Sequence, residues 1–187
     1  AGWKTSPSFA IAAEEPDFYL NMGLTAEAVA KEYNVSREDQ DLFSYNSHVK
    51  AGNAIKSGFF KSGILPITVG EVYLDAKGKK QQRNFVIDTD EGVRADTTPA
   101  GLAKLKPAFA AGGCVTAGNS SQTSDGAAFV IVMSEKMINE LGLKPIARLV
   151  NCASAGVNPR IRGIGPVEAV QKGLKKAGMP WGDIDFI

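Results

Sequence analysis

Residues 115–133 constrain this chain more than any other stretch. They read Val-Thr-Ala-Gly-Asn-Ser-Ser-Gln-Thr-Ser-Asp-Gly-Ala-Ala-Phe-Val-Ile-Val-Met. The last seven form a continuous apolar run rich in branched residues. Such a run predicts a strand buried on both faces, the kind found in a sheet sandwiched between helices. The residues before it are small, hydroxyl-bearing or turn-forming. Gly118 and Gly126 permit backbone angles that other residues resist, and Ser and Asn side chains bond backbone groups in tight turns. This loop has two readings. It is a polar turn into a core strand, or it brings main chain close to a slender ligand.

The rest of the chain supports an α/β organisation. Pro7 and Pro16 mark residues 1–21 as irregular. A first helix is expected from about Thr25, with Glu27 in its first turn, to Tyr33, where Asn34 ends it. Ser36-Arg37-Glu38-Asp39 resembles a capping box and starts a helix over 37–57. That helix would bury Leu42, Tyr45, Val49 and Ile55 and stop at Gly58. Residues 67–74 are β-rich, residues 75–79 suit a turn, and residues 82–87 are again extended, which predicts a hairpin. Thr98-Pro99 reads as a cap followed by Pro at the first helical position, opening a short helix that ends near Lys106-Pro107. Ser134 caps a helix to Leu141, closed by Gly142. Further strands are expected at 146–153 and 183–187. Between them a helix starts at Pro166, with Val167, Val170, Leu174 and Ala177 on one face. The chain stops inside the last apolar run, which reads as a truncated segment.

Composition removes several classes of function. Lys plus Arg number 21 and Asp plus Glu 20, which argues against a dedicated nucleic-acid binder. No apolar run reaches the roughly 18 residues that span a bilayer. The two cysteines, Cys114 and Cys152, lie far apart, and His48 is the sole histidine, so no structural zinc site is expected. The thiols suit a reducing, cytoplasmic setting. Both flank strand-like sequence and read as buried and inert. His48 reads as a surface or capping residue, and no nucleophile and base pair is evident.

Two other stretches bear on ligands. Residues 158–166, Asn-Pro-Arg-Ile-Arg-Gly-Ile-Gly-Pro, make a glycine-rich turn into a helix, which can offer N–H groups to an anion. The plainer reading is a connection carrying two solvated arginines, Arg160 and Arg162. In residues 90–98 Arg94 sits among carboxylates. It is either a surface ion pair or a contact to a phosphorylated or purine-bearing ligand.

Several motifs in order resemble the thiolase family. They are Met22-Gly23-Leu24-Thr25-Ala26-Glu27, Ser36-Arg37-Glu38-Asp39-Gln40-Asp41 and Lys106-Pro107-Ala108-Phe109. Residues 115–119, Ser124-Asp125-Gly126-Ala127-Ala128 and Gly163-Ile164-Gly165-Pro166 complete the series. The likeness covers nearly the whole chain, and residues 90–98 and 120–126 look closer to the degradative, 3-ketoacyl-CoA branch. The resemblance implies an α/β, thiolase-like fold. Residues 1–110 would be mostly the inserted loop domain that covers coenzyme A. Residues 111–144 would close the first half, and residues 145–187 would open the second.

It also implies roles. Arg94 matches the arginine at the nucleotide end of coenzyme A, and Ser121 the serine that bonds the pantetheine chain. Phe109 and Met22 match apolar residues lining the pantetheine and acyl pocket. A long thin arm suits an apolar slot with few polar fixers, and a phosphorylated nucleotide suits a cation near solvent. Coenzyme A or acyl-CoA would be a substrate, with no tightly bound cofactor, no metal, no membrane and no nucleic acid. A homodimer or homotetramer is implied by analogy. In the family the nucleophilic cysteine precedes this segment, while the Asn-Glu-Ala-Phe stretch, the histidine and the second cysteine follow it. No catalytic residue is therefore expected here, and the segment alone is expected to be inactive. Arg162 departs from the family pattern, which has a methionine there; a cation is costly in an apolar pocket unless paired. Two other readings remain beside the enzyme: a thiolase-like protein that holds acyl-CoA without chemistry, and an inactive gene fragment.

Overall fold

The helices begin and end where short-range chemistry dictates. In the computed structural model, which describes residues 6–186, α1 spans Phe9–Glu14, α2 Met22–Glu32, α3 Arg37–Lys56, α4 Pro99–Ala103, α5 Glu135–Glu140 and α6 Gly165–Ala177. Side-chain oxygens of Asn21, Ser36, Thr98 and Ser134 accept backbone N–H bonds from the first turns of α2, α3, α4 and α5. Each cap satisfies a donor that the helix leaves open. At the start of α3 the Ser36 hydroxyl also donates to Asp39 Oδ2 at 2.7 Å, a side-chain bond that stands beside the cap.

The ends are as regular. Gly58, Gly142 and Gly178 take positive φ after α3, α5 and α6. In each case the following N–H reaches back five residues, as from Phe59 to Ala54, Leu143 to Ile138 and Met179 to Leu174. This is the Schellman closure, which a left-handed residue makes possible. Asn34 does the same after α2, with φ 54° and Val35 N–H donating to Ala30 O. Asn tolerates that region better than most residues.

Helix α2 begins three residues before the expected Thr25. Residues 6–21 are not irregular: α1 and a 3₁₀ turn at Pro16–Tyr19 occupy them. Pro16 opens that turn rather than breaking it, because proline is tolerated where the N–H has no helical partner. Residues 1–5 and 187 lie outside the described range.

The hairpin forms as read. Strand β1 (Ile67–Leu74) pairs antiparallel with β2 (Lys80–Ile87), with Ile67 opposite Ile87 and Leu74 opposite Lys80. Asp75 builds the turn. Its carboxylate accepts from the N–H groups of Lys77 and Lys79 and from the Gln81 amide. The Gln81 bond and those backbone donors hold its pKa below the usual range. Across the strands Glu71 pairs with Arg83, whose guanidinium also lies over Tyr73 and Phe85.

The other expected strands do not form. Among the described residues β1 and β2 are the two strands. Residues 127–133 run without a paired neighbour, and Phe129 is 97% exposed. Residues 146–153 and 183–186 are likewise unpaired, with a 3₁₀ turn at Trp181–Asp183. An apolar run states that burial is wanted, but a strand needs a neighbour to pair its backbone groups. Residues 151–154 lie along α6 instead, where Asn151 Nδ2 donates to Gly173 O and Lys172 Nζ to Ser154 O. Helix α3 also differs. Leu42 and Val49 are exposed, Tyr45 and Ile55 half-covered, and its buried residue is Asp41. A helix buries its stripe only where another element covers it, and α3 meets α4 through its first turns.

The chain divides into two compact units. One comprises the chain up to Val35, Pro107–Val115 and the chain from Thr123. The other comprises Ser36–Lys106 and Thr116–Gln122.

Candidate coenzyme A site

In the first unit, one face of α2 holds residues 107–115. Gly23 and Glu27 lie four residues apart and so share a face. The Phe109 ring packs against Gly23, where any Cβ would overlap it. Met22, beside Gly23, is exposed, and Phe109 is 41% exposed. Phe109 thus rests on the residue that follows Met22, and both predicted residues keep exposed apolar surface. Glu27 fastens the far end of the segment. Its carboxylate accepts from Cys114 N at 2.9 Å, from Val115 N at 2.9 Å and from Cys114 Sγ at 3.2 Å. Partial burial pushes the Glu27 pKa upward, but the Cys114 and Val115 bonds outweigh it, and the net shift is downward. Glu27 was legible only as an acid in a first turn. Its i,i+4 spacing from Gly23 was the available signal.

Arg162 lies in the same unit. Residues Pro159–Ile164 form a 3₁₀ turn that runs into α6 with a kink at Ile161. The Arg162 guanidinium donates to Leu20 O at 2.9 Å, and Arg160 approaches Asp17 at 3.6 Å. Neither is simply solvated. Arg162 spends its donors on main chain just ahead of α2. Cys114 is half-buried, whereas Cys152 is exposed rather than buried.

In the second unit Arg94 is exposed, and among the described residues it makes no ion pair. The neighbouring Asp90 turns to Gly92 N–H at 2.8 Å instead. The Arg94 N–H donates to His48 Nδ1 at 3.2 Å. His48 thus braces the Arg94 backbone from α3, with its Nδ1 lone pair as acceptor. Ser121 is also exposed and donates its hydroxyl to Gln122 O at 3.2 Å. Its oxygen lone pairs remain able to accept. The side chain of Gln122 lies close to Gly92, so the two stretches bearing Arg94 and Ser121 meet within this unit.

Residues 116–122 are held by a buried polar set that sequence reasoning missed. Thr116 N–H donates to Asn119 Oδ1 at 2.7 Å, and Asn119 Nδ2 donates to Asp41 Oδ1 at 3.0 Å. Arg37 Nε donates to Asp41 Oδ2 at 2.8 Å. Gly118 is needed for closeness: a Cβ there would lie 2.5 Å from Leu102 Cδ2. The described residues hold no group of three or more His, Cys, Asp or Glu suited to a metal ion, and no helix long and apolar enough to cross a membrane.

Residues 13–136 match the family model of the thiolase N-terminal domain, and residues 143–187 that of the thiolase C-terminal domain. The chain belongs to the thiolase family. It is 48% identical over 183 residues to the 3-ketoacyl-CoA thiolase of Bacillus subtilis (strain 168), covering 98% of this chain and 47% of that protein. It is 48% identical over 167 residues to an acetyl-CoA acetyltransferase of Syntrophomonas wolfei, covering 89% of this chain and 40% of the relative. The crystal structure of the Bacillus anthracis acetyl-CoA acetyltransferase superposes with a TM-score of 0.78 at 44% identity, over 89% of this chain and 40% of that one. The chain thus spans less than half the length of these relatives. Its helices and hairpin are part of a thiolase-like fold that reaches from the N-terminal into the C-terminal family domain.

Proposed function

We propose that these 187 residues are the coenzyme A-holding part of an acyl-CoA acyltransferase. The whole protein would cleave 3-ketoacyl-CoA to acyl-CoA and acetyl-CoA, or run the reverse condensation, through an acyl-cysteine. The observation that carries the reading is the part-exposed Phe109 ring packed on Gly23, next in sequence to the exposed Met22, within a thiolase family match. Met22 and Phe109 would flank the pantetheine and acyl arm. Ser121 would accept or donate one hydrogen bond to its amides. Arg94, whose charge is not spent on Asp90, would face the phosphorylated nucleotide. Residues 1–110 would supply most of the loop domain, residues 111–144 the end of the first half and residues 145–187 the start of the second. By the same resemblance the nucleophile, the histidine and the second cysteine are not among these residues, so the segment alone would perform no thiolysis. Its thiols suit the cytoplasm, its motifs suit fatty-acid breakdown, and a homodimer or homotetramer is the expected assembly.

Titration calorimetry with coenzyme A tests this. Arg94→Ala and Ser121→Ala should each weaken binding by about tenfold, the worth of one interaction of about 1.4 kcal/mol. Absence of any binding by the wild-type chain would sink the proposal. Cleavage of acetoacetyl-CoA by the purified segment would refute the predicted inactivity.

A further inference from the structure

The polar set beneath residues 116–122 does more than fill a core. Asp41 is 6% exposed and Thr116 fully buried. Two buried polar groups at one place must be bonded or they destabilise the fold. Here they are joined in series. Arg37 binds Asp41 Oδ2 and the carbonyls of Leu102 and Leu105 at 2.8 and 3.0 Å. Asp41 Oδ1 receives Asn119 Nδ2, and Asn119 Oδ1 receives Thr116 N–H. Thr116 then accepts Gly118 N–H on its hydroxyl and the Ser120 hydroxyl on its carbonyl. Asn119 must be a donor toward α3 and an acceptor toward Thr116. An amide does both at that reach, whereas a carboxylate cannot donate to Asp41. Ser121 follows two residues later.

We propose that Asp41 is a positioning residue for coenzyme A: acting through Asn119, it fixes residues 116–122 and so the place of the Ser121 hydroxyl. This rests on the coenzyme A reading above. A hydroxyl contributes to affinity only when it is already held where the ligand needs it. Asp41 itself, buried under the loop, touches no ligand.

The series has a polarity that is reversed by exchanging its two middle members. Asn119→Asp places two carboxylates face to face. Adding Asp41→Asn restores a donor facing an acceptor, leaves an oxygen for Arg37, and keeps an oxygen for Thr116 N–H. Coenzyme A affinity should fall about tenfold in Asn119→Asp, the cost of losing one such interaction, and recover in the Asp41→Asn/Asn119→Asp pair. Amide exchange at Thr116 and Gly118 should quicken and recover in step. Circular dichroism and urea midpoints establish that each variant is folded, and the exchanged pair serves if the single variant is not. If wild type binds coenzyme A and folded Asn119→Asp binds equally well, the positioning role is wrong while the coenzyme A reading stands. If the exchanged pair stays as weak as Asn119→Asp, the series is not what places Ser121. If wild type does not bind at all, the underlying reading fails.

Discussion

Removing the Glu27 carboxylate should cost more than an ordinary exposed substitution. Glu27→Ala leaves Cys114 N–H and Val115 N–H without their acceptor, and Val115 is buried. A hydrogen bond to a charged group contributes about 1.5–3 kcal/mol. Two such bonds set an upper figure of about 6 kcal/mol, but the carboxylate is half-exposed and water takes over part of its work, so about 2–3 kcal/mol is expected. Glu27→Gln keeps an acceptor and should lose roughly 1 kcal/mol. The pH dependence separates charge from packing. The folded pKa of Glu27 lies below its ordinary value. Its contribution is therefore complete above the unfolded carboxylate pKa of about 4.3 and is lost as pH falls through the folded one. Urea unfolding followed by tryptophan fluorescence, repeated from pH 7 down to pH 3, measures both. Wild type should converge on Glu27→Gln at the acid end. A Glu27→Ala loss under about 0.5 kcal/mol, the range of ordinary surface changes, or parallel acid limbs for wild type and Glu27→Gln, would refute the clamp.

Gly23→Ala should displace the Phe109 ring and destabilise by about 1–3 kcal/mol through overpacking, read as a lower urea midpoint and a changed near-ultraviolet signal. Ser36→Ala removes the cap of α3 and should cost about 1 kcal/mol, with Ser36→Asp close to wild type in thermal unfolding. Arg162→Met abandons the Leu20 carbonyl and should cost about 1 kcal/mol; an unchanged melting temperature would mean that this bond contributes nothing.

What the sequence made legible was local. Ser36, Thr98 and Ser134 announce helix starts, and Gly58 and Gly142 announce ends, because each acts on donors or carbonyls within a few residues. The hairpin is local in the same sense, with Asp75 and Gly78 setting its turn. The apolar run at 127–133 misled because pairing is a property of neighbours, not of the run itself. Leu42 and Val49 misled for the same reason. At the site, Met22, Phe109, Arg94 and Ser121 came from ordered motifs, and the structure adds that Phe109 packs on Gly23. Glu27, Arg37, Asp41 and Asn119 were passed over because each also has a partner 65 to 88 residues away. Nothing in a run of sequence says which distant N–H a carboxylate will meet.

The long reach of two of these residues also orders the assembly of the chain. Glu27 and Cys114 are 87 residues apart, so at the roughly 5–20 residues per second of translation α2 exists for roughly 4–17 s before its clamp can close. Closing so long a loop from an open chain is entropically expensive. Arg37 binds the Leu105 carbonyl across 68 residues, and both ends of that contact are synthesised before Cys114. Where that contact forms first, the loop left for Glu27 to close is more than fourfold shorter, which lowers its entropic cost by about 1 kcal/mol. Helix α3, the hairpin and α4 are thus all present in the growing chain before either N–H partner of Glu27 has been made.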